Sequence, residues 1–441
     1  MDFNKLKEAA LENGITEIEV YQSSSKNIEV STFNNVIENN TSSETNVLAI
    51  RGVYNNQIVT IYEENANDSM IPSIINKIKD NCSIMNKKEP FFIYPGDKEY
   101  PVLVEKENDF DEYTIKQKGD ICIELSKLIF AQDECVTNVE VSYSETEAHT
   151  SIKNSNGLDV SRNSKVGFIV AEAVCSKDGV MKTGFDYVKI NNIKDLDLNT
   201  LAANIVKDAM ATFGAESIPS GSYKVVLDKK VVSSLIGAFS GIFSAMSVLK
   251  NMSFLKDKLG EKIFGDNITL IDDPLSLEAP SQDSFDDEGV ASFKKSIVEN
   301  GVLKTYLHNL KTAAMMNTKS TANGYKSGVS SSVEISPSNL YLQPGDTSLE
   351  EMFGKIENGV YITSVQGLHA GLNPISGSFN LQSSGYLIEN GVKTKPVTLI
   401  ILSGKLQEML NNVEYVGSDF EFKRGVGAPS IAISSMAISG K

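Results

Sequence analysis

The chain reads as an α+β protein of two domains. The N-terminal domain is predicted to mix helices with an antiparallel sheet; the C-terminal domain is predicted to be predominantly β with a few helices. Three observations carry this. The 441 residues exceed the roughly 100–200 that fill one domain. Runs of period-two alternation occur in both halves, whereas long stripes of helical period gather in the first. Asn-Gly dipeptides, which suit tight turns between neighbouring strands, recur through the second.

Phe3, Leu6 and Ala10 lie near helical spacing with charges between them, and Asn13-Gly14 supplies a stop. Glu17–Gln22, Asn27–Asn34, Asn46–Gly52 and Gln57–Tyr62 alternate and carry β-branched residues, as antiparallel strands do. Ile71, Ile74, Ile75 and Ile78 then change the period to that of a helix. A proline-containing connector, Lys87–Pro101, leads to another helical region near Thr114–Phe130. Strands are expected at Asn138–Glu147 and Val166–Cys175, with Asn156-Gly157 as a turn between them. A stripe from Leu198 to Met210 ends at Gly214, and the turn residues and fresh strand of AESIPSGSYKVVLD follow. The boundary is placed near Pro219, dividing 1–218 from 219–441.

Val231–Leu249 is uncharged and approaches the length of a bilayer span. Serines and glycines dilute its apolarity, and Lys229, Lys230 and Lys250 flank it, so a helix buried in a soluble core is expected. The pattern [Ile/Val]-Glu-Asn-Gly-Val occurs at Val298–Val302, Ile356–Val360 and Ile388–Val392. The first and third read as two-residue hairpins. The second follows the capping-box pattern Thr347-Ser348-Leu349-Glu350, so its Asn-Gly reads as a helix C-cap.

Composition narrows the function. With 41% hydrophobic and 22% charged residues and a net charge of −16, the chain has the make-up of a soluble protein. It would repel phosphate backbones and anionic membrane faces. No nucleic-acid or membrane partner is expected. Cys82, Cys122, Cys135 and Cys175 form no C-x-x-C pair and read as buried thiols of a reducing compartment. The N-terminus lacks the apolar core of a signal peptide, which places the protein in the cytoplasm.

His149, His308 and His369 have no partner at metal-ligand spacing, and no nucleophile elbow or phosphate loop appears. The acidic run Asp283–Glu288 lacks the ligand spacing of a calcium loop and reads as a solvated surface loop. The stretch GLHAGLNPISGSFNLQSSGYLIENGVKTKP, Gly367–Pro396, joins a glycine-rich turn to two alternating runs and a hairpin. It promises a rigid β surface carrying an exposed loop. His369 is the histidine inside that loop and a candidate for contacting a ligand; an imidazole satisfied by backbone is the structural alternative.

That stretch, together with YSETEAHTSIKNSNGLDVSRNSK (Tyr143–Lys165), DDEGVASFKKSIVENGVLKTYLHNLKTA (Asp286–Ala313) and the tail VGSDFEFKRGVGAPSIAISSMAISG, resembles the TldD/PmbA family in the family's order. The resemblance implies that TldD-type members hold zinc with an H-E-x-x-x-H helix and a cysteine near the C-terminus. Zinc so held lowers the pKa of its bound water to roughly 7 and supplies a hydroxide for peptide hydrolysis. In this chain the helix corresponds to Ser234–Lys250, and the ligand and base positions read Ile236, Gly237 and Gly241. The stretch expected to supply the cysteine, Lys423–Pro429, has no thiol.

The chain is therefore similar to the PmbA/TldE type, the companion subunit. The resemblance implies a cytosolic heteromeric peptidase acting on unfolded or flexible peptides, including antibiotic precursors and antitoxins, with zinc on the TldD-like partner and none on this chain. Gly367, His369, Asn373, Ser376 and Gly377 are the candidate peptide contacts; a turn supporting the C-terminal core is the structural alternative. Two other functions fit the same residues: a stand-alone peptide-binding or scaffold protein, and a homodimeric hydrolase with an unrecognised site.

Overall fold

The computed structural model describes residues 1–84, 93–104, 107–423 and 425–441. Part of the predicted connector Lys87–Pro101, and Arg424 in the tail, lie outside the described residues. Helix α1 (Phe3–Glu12) starts where the Asp2 carboxylate accepts from the Asn4 and Lys5 N–H groups. It is followed by β1 (Glu17–Phe33), β2 (Val36–Tyr54), β3 (Gln57–Glu64) and α2 (Ile71–Ile84). Next come α3 (Ile115–Phe130), opened by a Thr114–Gln117 capping box, β4 (Val136–Asn154), β5 (Asp159–Lys177), β6 (Val180–Ile190) and α4 (Leu198–Met210).

The strands form one antiparallel sheet in the order β3-β2-β1-β4-β5-β6. The two strands expected at Glu17–Gln22 and Asn27–Asn34 are a single strand, β1. Its polar centre, Ser23–Lys26, pairs with β2 on one side and β4 on the other, so backbone pairing overrides the break in alternation. Strand β6 had no sequence signal, because Lys182, Gly184 and Asp186 interrupt its apolar pattern. Gly184 is there for α4: a β-carbon at that position would run into the Ile205 carbonyl oxygen. One core lies beneath α1 and α2, around Leu6, Ile50 and Ile74; another lies beneath α3 and α4, around Leu125, Tyr143 and Ile205. The four cysteines are buried thiols.

The second half continues with β7 (Gly221–Leu227), α5 (Lys229–Phe239), α6 (Ala245–Leu249), β8 (Leu270–Asp272), β9 (Lys295–Glu299) and β10 (Val302–Leu303). Then follow α7 (Leu310–Met315), β11 (Gly324–Tyr325), β12 (Glu334–Ile335), β13 (Leu340–Leu342), α8 (Leu349–Ile356), β14 (Gly359–Gln366) and β15 (Leu372–Asn373). It ends with β16 (Ser378–Glu389), β17 (Val392–Lys405), α9 (Leu406–Asn411), β18 (Val413–Val416), β19 (Glu421–Lys423), β20 (Val426–Ala428) and β21 (Ile431–Ser439). Strand β14 pairs with both β7 and β16, so β14, β7, β21, β17 and β16 close into a hydrogen-bonded ring. A second sheet runs β10-β9-β8-β13-β20-β19. The apolar faces of both share one large core with α5.

Asn300-Gly301 and Asn390-Gly391 take positive φ between paired strands, as the hairpin reading requires. At the second pentapeptide the helix cap is Glu357, at φ 58°, and Asn358-Gly359 leads directly into β14.

The expected single helix over Val231–Leu249 is broken. After Phe239 the chain makes a 3₁₀ turn over Ser240–Phe243, and helix resumes at Ala245. Ser244 takes an extended conformation and bridges to Leu307, while the Ala245 N–H donates to the Leu307 carbonyl. That tertiary pairing defeats a continuous helix which Gly237 and Gly241 already weaken. Among the described residues, no helix is long and apolar enough to cross a membrane.

Candidate functional site

The two halves meet at a buried polar seam. Arg162 on β5 reaches the loop between β8 and β9, where its Nη2 donates to Asp287 Oδ1 at 2.8 Å and its Nε lies 3.4 Å from Asp283 Oδ1. Its Nη1 donates to the Phe285 carbonyl, and the guanidinium carbon sits 4.9 Å from the Phe285 ring centre. Tyr21 on β1 donates its hydroxyl to Asp287 Oδ1 at 3.0 Å, and the Lys326 ammonium lies 4.0 Å from the Tyr21 ring centre. The Asp286 carboxylate accepts from the backbone N–H groups of Glu288, Val290 and Gly324.

The acidic run is thus not a solvated loop. Phe285 is 1% exposed and Asp286 0%. The cause is Phe285, which packs with Tyr21, Ile152 and Leu158 of the N-terminal sheet and carries its acidic neighbours inward to Arg162. Burial, reinforced by the Glu288 charge, pushes the Asp286 carboxyl up to about 8 against its backbone donors. Burial also raises Asp283, with Arg162 opposing. Burial works against the Arg162 charge, but Asp283 and Asp287 outweigh it and raise the guanidinium's pKa.

Sequence reasoning missed Arg162, Tyr21 and Lys326. A usable signal existed: the chain has only three arginines, Arg51, Arg162 and Arg424, among many lysines. A guanidinium kept against that background marks a place that needs its fork.

At Ile236, Gly237 and Gly241, which the resemblance sets against the ligand and base positions of TldD-type relatives, the side chains offer no ligand. Ile236 is 3% exposed and belongs to the C-terminal core. A β-carbon built on Gly237 would lie 3.3 Å from Val426 Cγ2, so helix α5 and strand β20 are packed apolar face to apolar face. Gly241 falls in the 3₁₀ turn and is exposed. Among the described residues, no group of three or more His, Cys, Asp or Glu side chains is arranged to hold a metal ion. A zinc ion does not fit between α5 and β20 on these donors.

The five candidate peptide contacts sit elsewhere, on the loop between β14 and β16. The Gly367 carbonyl accepts from Ala370 and Gly371. Asn373 Oδ1 accepts from the Ile375 and Ser376 N–H groups, and the Ser376 and Ser378 hydroxyls are 2.8 Å apart. Gly367, His369, Asn373 and Ser376 are exposed, while Gly377 is buried near Phe254. The loop is therefore an exposed surface on a rigid base. His149 is held across strands by Asn163. Burial pushes the His308 pKa down and keeps that ring neutral.

Beside the seam, a cleft of about 1210 Å³ separates the N-terminal sheet from the C-terminal loops. Arg162, Lys165, Phe168 and Tyr187 line one side, Ser338 and Gly425 the other. Gly425 directly precedes β20, so this cleft opens next to the α5–β20 contact. The loop around His369 does not line it.

The molecule is thus an antiparallel sheet clamped through buried charge to a closed ring, with a cleft at the join. Family models described as PmbA/TldA metallopeptidase domain 1, central domain and C-terminal domain match residues 18–84, 108–213 and 220–440. The chain belongs to the PmbA/TldD metallopeptidase family. It is 30% identical over 391 residues to metalloprotease MJ0996 of Methanocaldococcus jannaschii, covering 86% of this chain and 85% of that one. A Thermotoga maritima protein named as a candidate modulator of a DNA gyrase superposes with a TM-score of 0.89 at 31% identity, with 99% of each chain covered. TldE of Thermococcus kodakarensis gives the same TM-score at 22% identity and 99% coverage of each, which shows the shared fold.

Proposed function

We propose that this chain is the peptide-holding member of a two-component cytosolic zinc peptidase, and that the zinc and the bond-breaking step belong to a partner of the TldD type. The observation that carries this reading is the apolar contact of Gly237 with Val426 beside the buried Ile236. Lone-pair donors would have to stand there, and the space is closed by hydrocarbon. The partner's zinc would supply a hydroxide near neutral pH. This chain's own residues bind and orient an unfolded or extended peptide.

The loop carrying Gly367, His369, Asn373, Ser376 and Gly377 is suited to such contact. Within it, β15 pairs with β16 on one side. Among the described residues its other side is open to a peptide backbone, and main-chain pairing tolerates varied side chains. The test is cleavage of an unstructured peptide by the purified chain, by a zinc-bearing homologue from the same cell, and by both. Cleavage is expected from the pair, and the purified chain is expected to carry no stoichiometric zinc or manganese. Robust cleavage by this chain alone overturns the division of labour.

A further inference from the structure

A second and larger groove, of about 1940 Å³, lies between the halves and shares Pro101 with the first cleft. Its walls are β3, the connector around Tyr94–Pro101, the loop after Glu288, and α7 with the turn that follows it. The lining is largely apolar. Phe293 and Met315 face it while 44% and 58% exposed. Burying two such side chains on a ligand is a ready source of affinity.

Two polar features distinguish the groove from a simple apolar crease. Ser292 lines it and is 3% exposed, yet its hydroxyl has no hydrogen-bond partner. Buried hydroxyls are rarely left so, and a ligand's main-chain carbonyl would satisfy this one. At the rim stand Lys98, Lys311 and Lys319, all exposed and, among the described residues, without an ion pair. The groove also holds carboxylates: Asp97 and Glu288 accept from the Ala291 and Leu310 N–H groups, and the exposed Glu99 stands next to Lys98. Among the described residues, Lys311 and Lys319 are thus the cations left without a neighbouring carboxylate in the lining, while Arg51 is paired with Glu19.

Unpaired cations around an apolar floor are unexpected on a chain of net charge −16. Their complement is an anionic ligand with apolar groups. The volume exceeds the roughly 300–1,000 Å³ of a small-molecule site. Lys311 stands on α7 and Lys319 on the turn after it, which suits carboxylates spaced along a strand.

We infer that this groove binds an extended peptide segment whose side chains alternate between apolar and acidic. The apolar side chains lie on Phe293 and Met315, the carboxylates meet Lys311 and Lys319, and a backbone carbonyl accepts from Ser292. The inference rests on the peptide-holding reading above and adds a substrate class to it.

The test is fluorescence anisotropy on the full chain with three labelled unstructured peptides: one of leucine, phenylalanine and glutamate, one with every glutamate replaced by lysine, and one of serine and glutamate. The first is expected to bind, and to weaken as salt rises. The other two are expected to bind at least about tenfold more weakly. The K311E/K319E double variant should lose about tenfold for the first peptide. Met315→Ser should weaken binding without changing its salt dependence. All three substituted side chains are exposed, so thermal melts should stay unchanged and report retained folding. Equal binding of the lysine and glutamate peptides, or an unaltered K311E/K319E variant, overturns the inference. Binding is read on the isolated chain, so that failure is separate from a failure of cleavage with the zinc-bearing partner.

Discussion

Arg162 is the residue on which the join between the halves turns. It neutralises carboxylates that Phe285 draws out of water, so its removal strands Asp287 and Asp283 beside an apolar cluster. Arg162→Met is expected to lose roughly 3–5 kcal/mol in urea denaturation, the cost of leaving a buried charge unpaired. Adding Asp287→Asn should recover part of it; no recovery would mean that packing, and not charge, sets the loss. Asp286 gives the seam a pH dependence. Its folded-state pKa is raised to about 8 from the ordinary carboxylate value, so the folded state binds the proton more tightly. Its contribution is fully present below about pH 4 and is lost as pH rises through about 8. Melting temperatures should therefore decline across that window, and Asp286→Asn should flatten the decline.

Apart from the scarcity of arginine that singles out Arg162, this seam was not legible along the chain, because it depends on residues hundreds of positions apart, such as Tyr21 and Asp287, meeting in space. The acidic run looked solvated because charge usually outweighs one aromatic residue. Here the arginine reversed that balance. That Ile236, Gly237 and Gly241 offer no lone pairs can be read from residue type alone; that they stand where TldD-type relatives place their ligands is an implication of the resemblance.

Elements with a local cause followed the sequence closely. Asn300-Gly301 and Asn390-Gly391 fix their hairpins because both residues must take positive φ. Gly391→Ala is expected to cost about 1–2 kcal/mol for the left-handed backbone. Gly301→Ala should cost more, because its β-carbon would also meet the Phe264 carbonyl oxygen. Equal melting temperatures for the two variants would contradict the close contact. Elements that depend on distant partners were misread. Strand β1 looked like two strands until β2 and β4 flanked it, β6 was invisible until α4 crossed at Gly184, and the apolar run after Val231 looked like one helix until Leu307 captured Ser244.

For the whole molecule, the seam ties the sheet to the ring through Tyr21, Ile152, Leu158 and Phe285 as well as through charge. The division at Pro219 is proposed as a boundary between two units that depend on each other. Residues 1–218 and 219–441, expressed separately, should each melt below the intact chain and regain stability on mixing. Independent melting at the parental temperature would show that the seam contributes little.

The ring of β14, β7, β21, β17 and β16 has a further consequence. Over the residues where they pair, each of these strands has a neighbour on both sides, so the ring closes on itself there and leaves no edge. A molecule that is to keep company with stretched, adhesive polypeptides thereby denies them a template along the closed part of the ring, and fibril growth has no place there to begin.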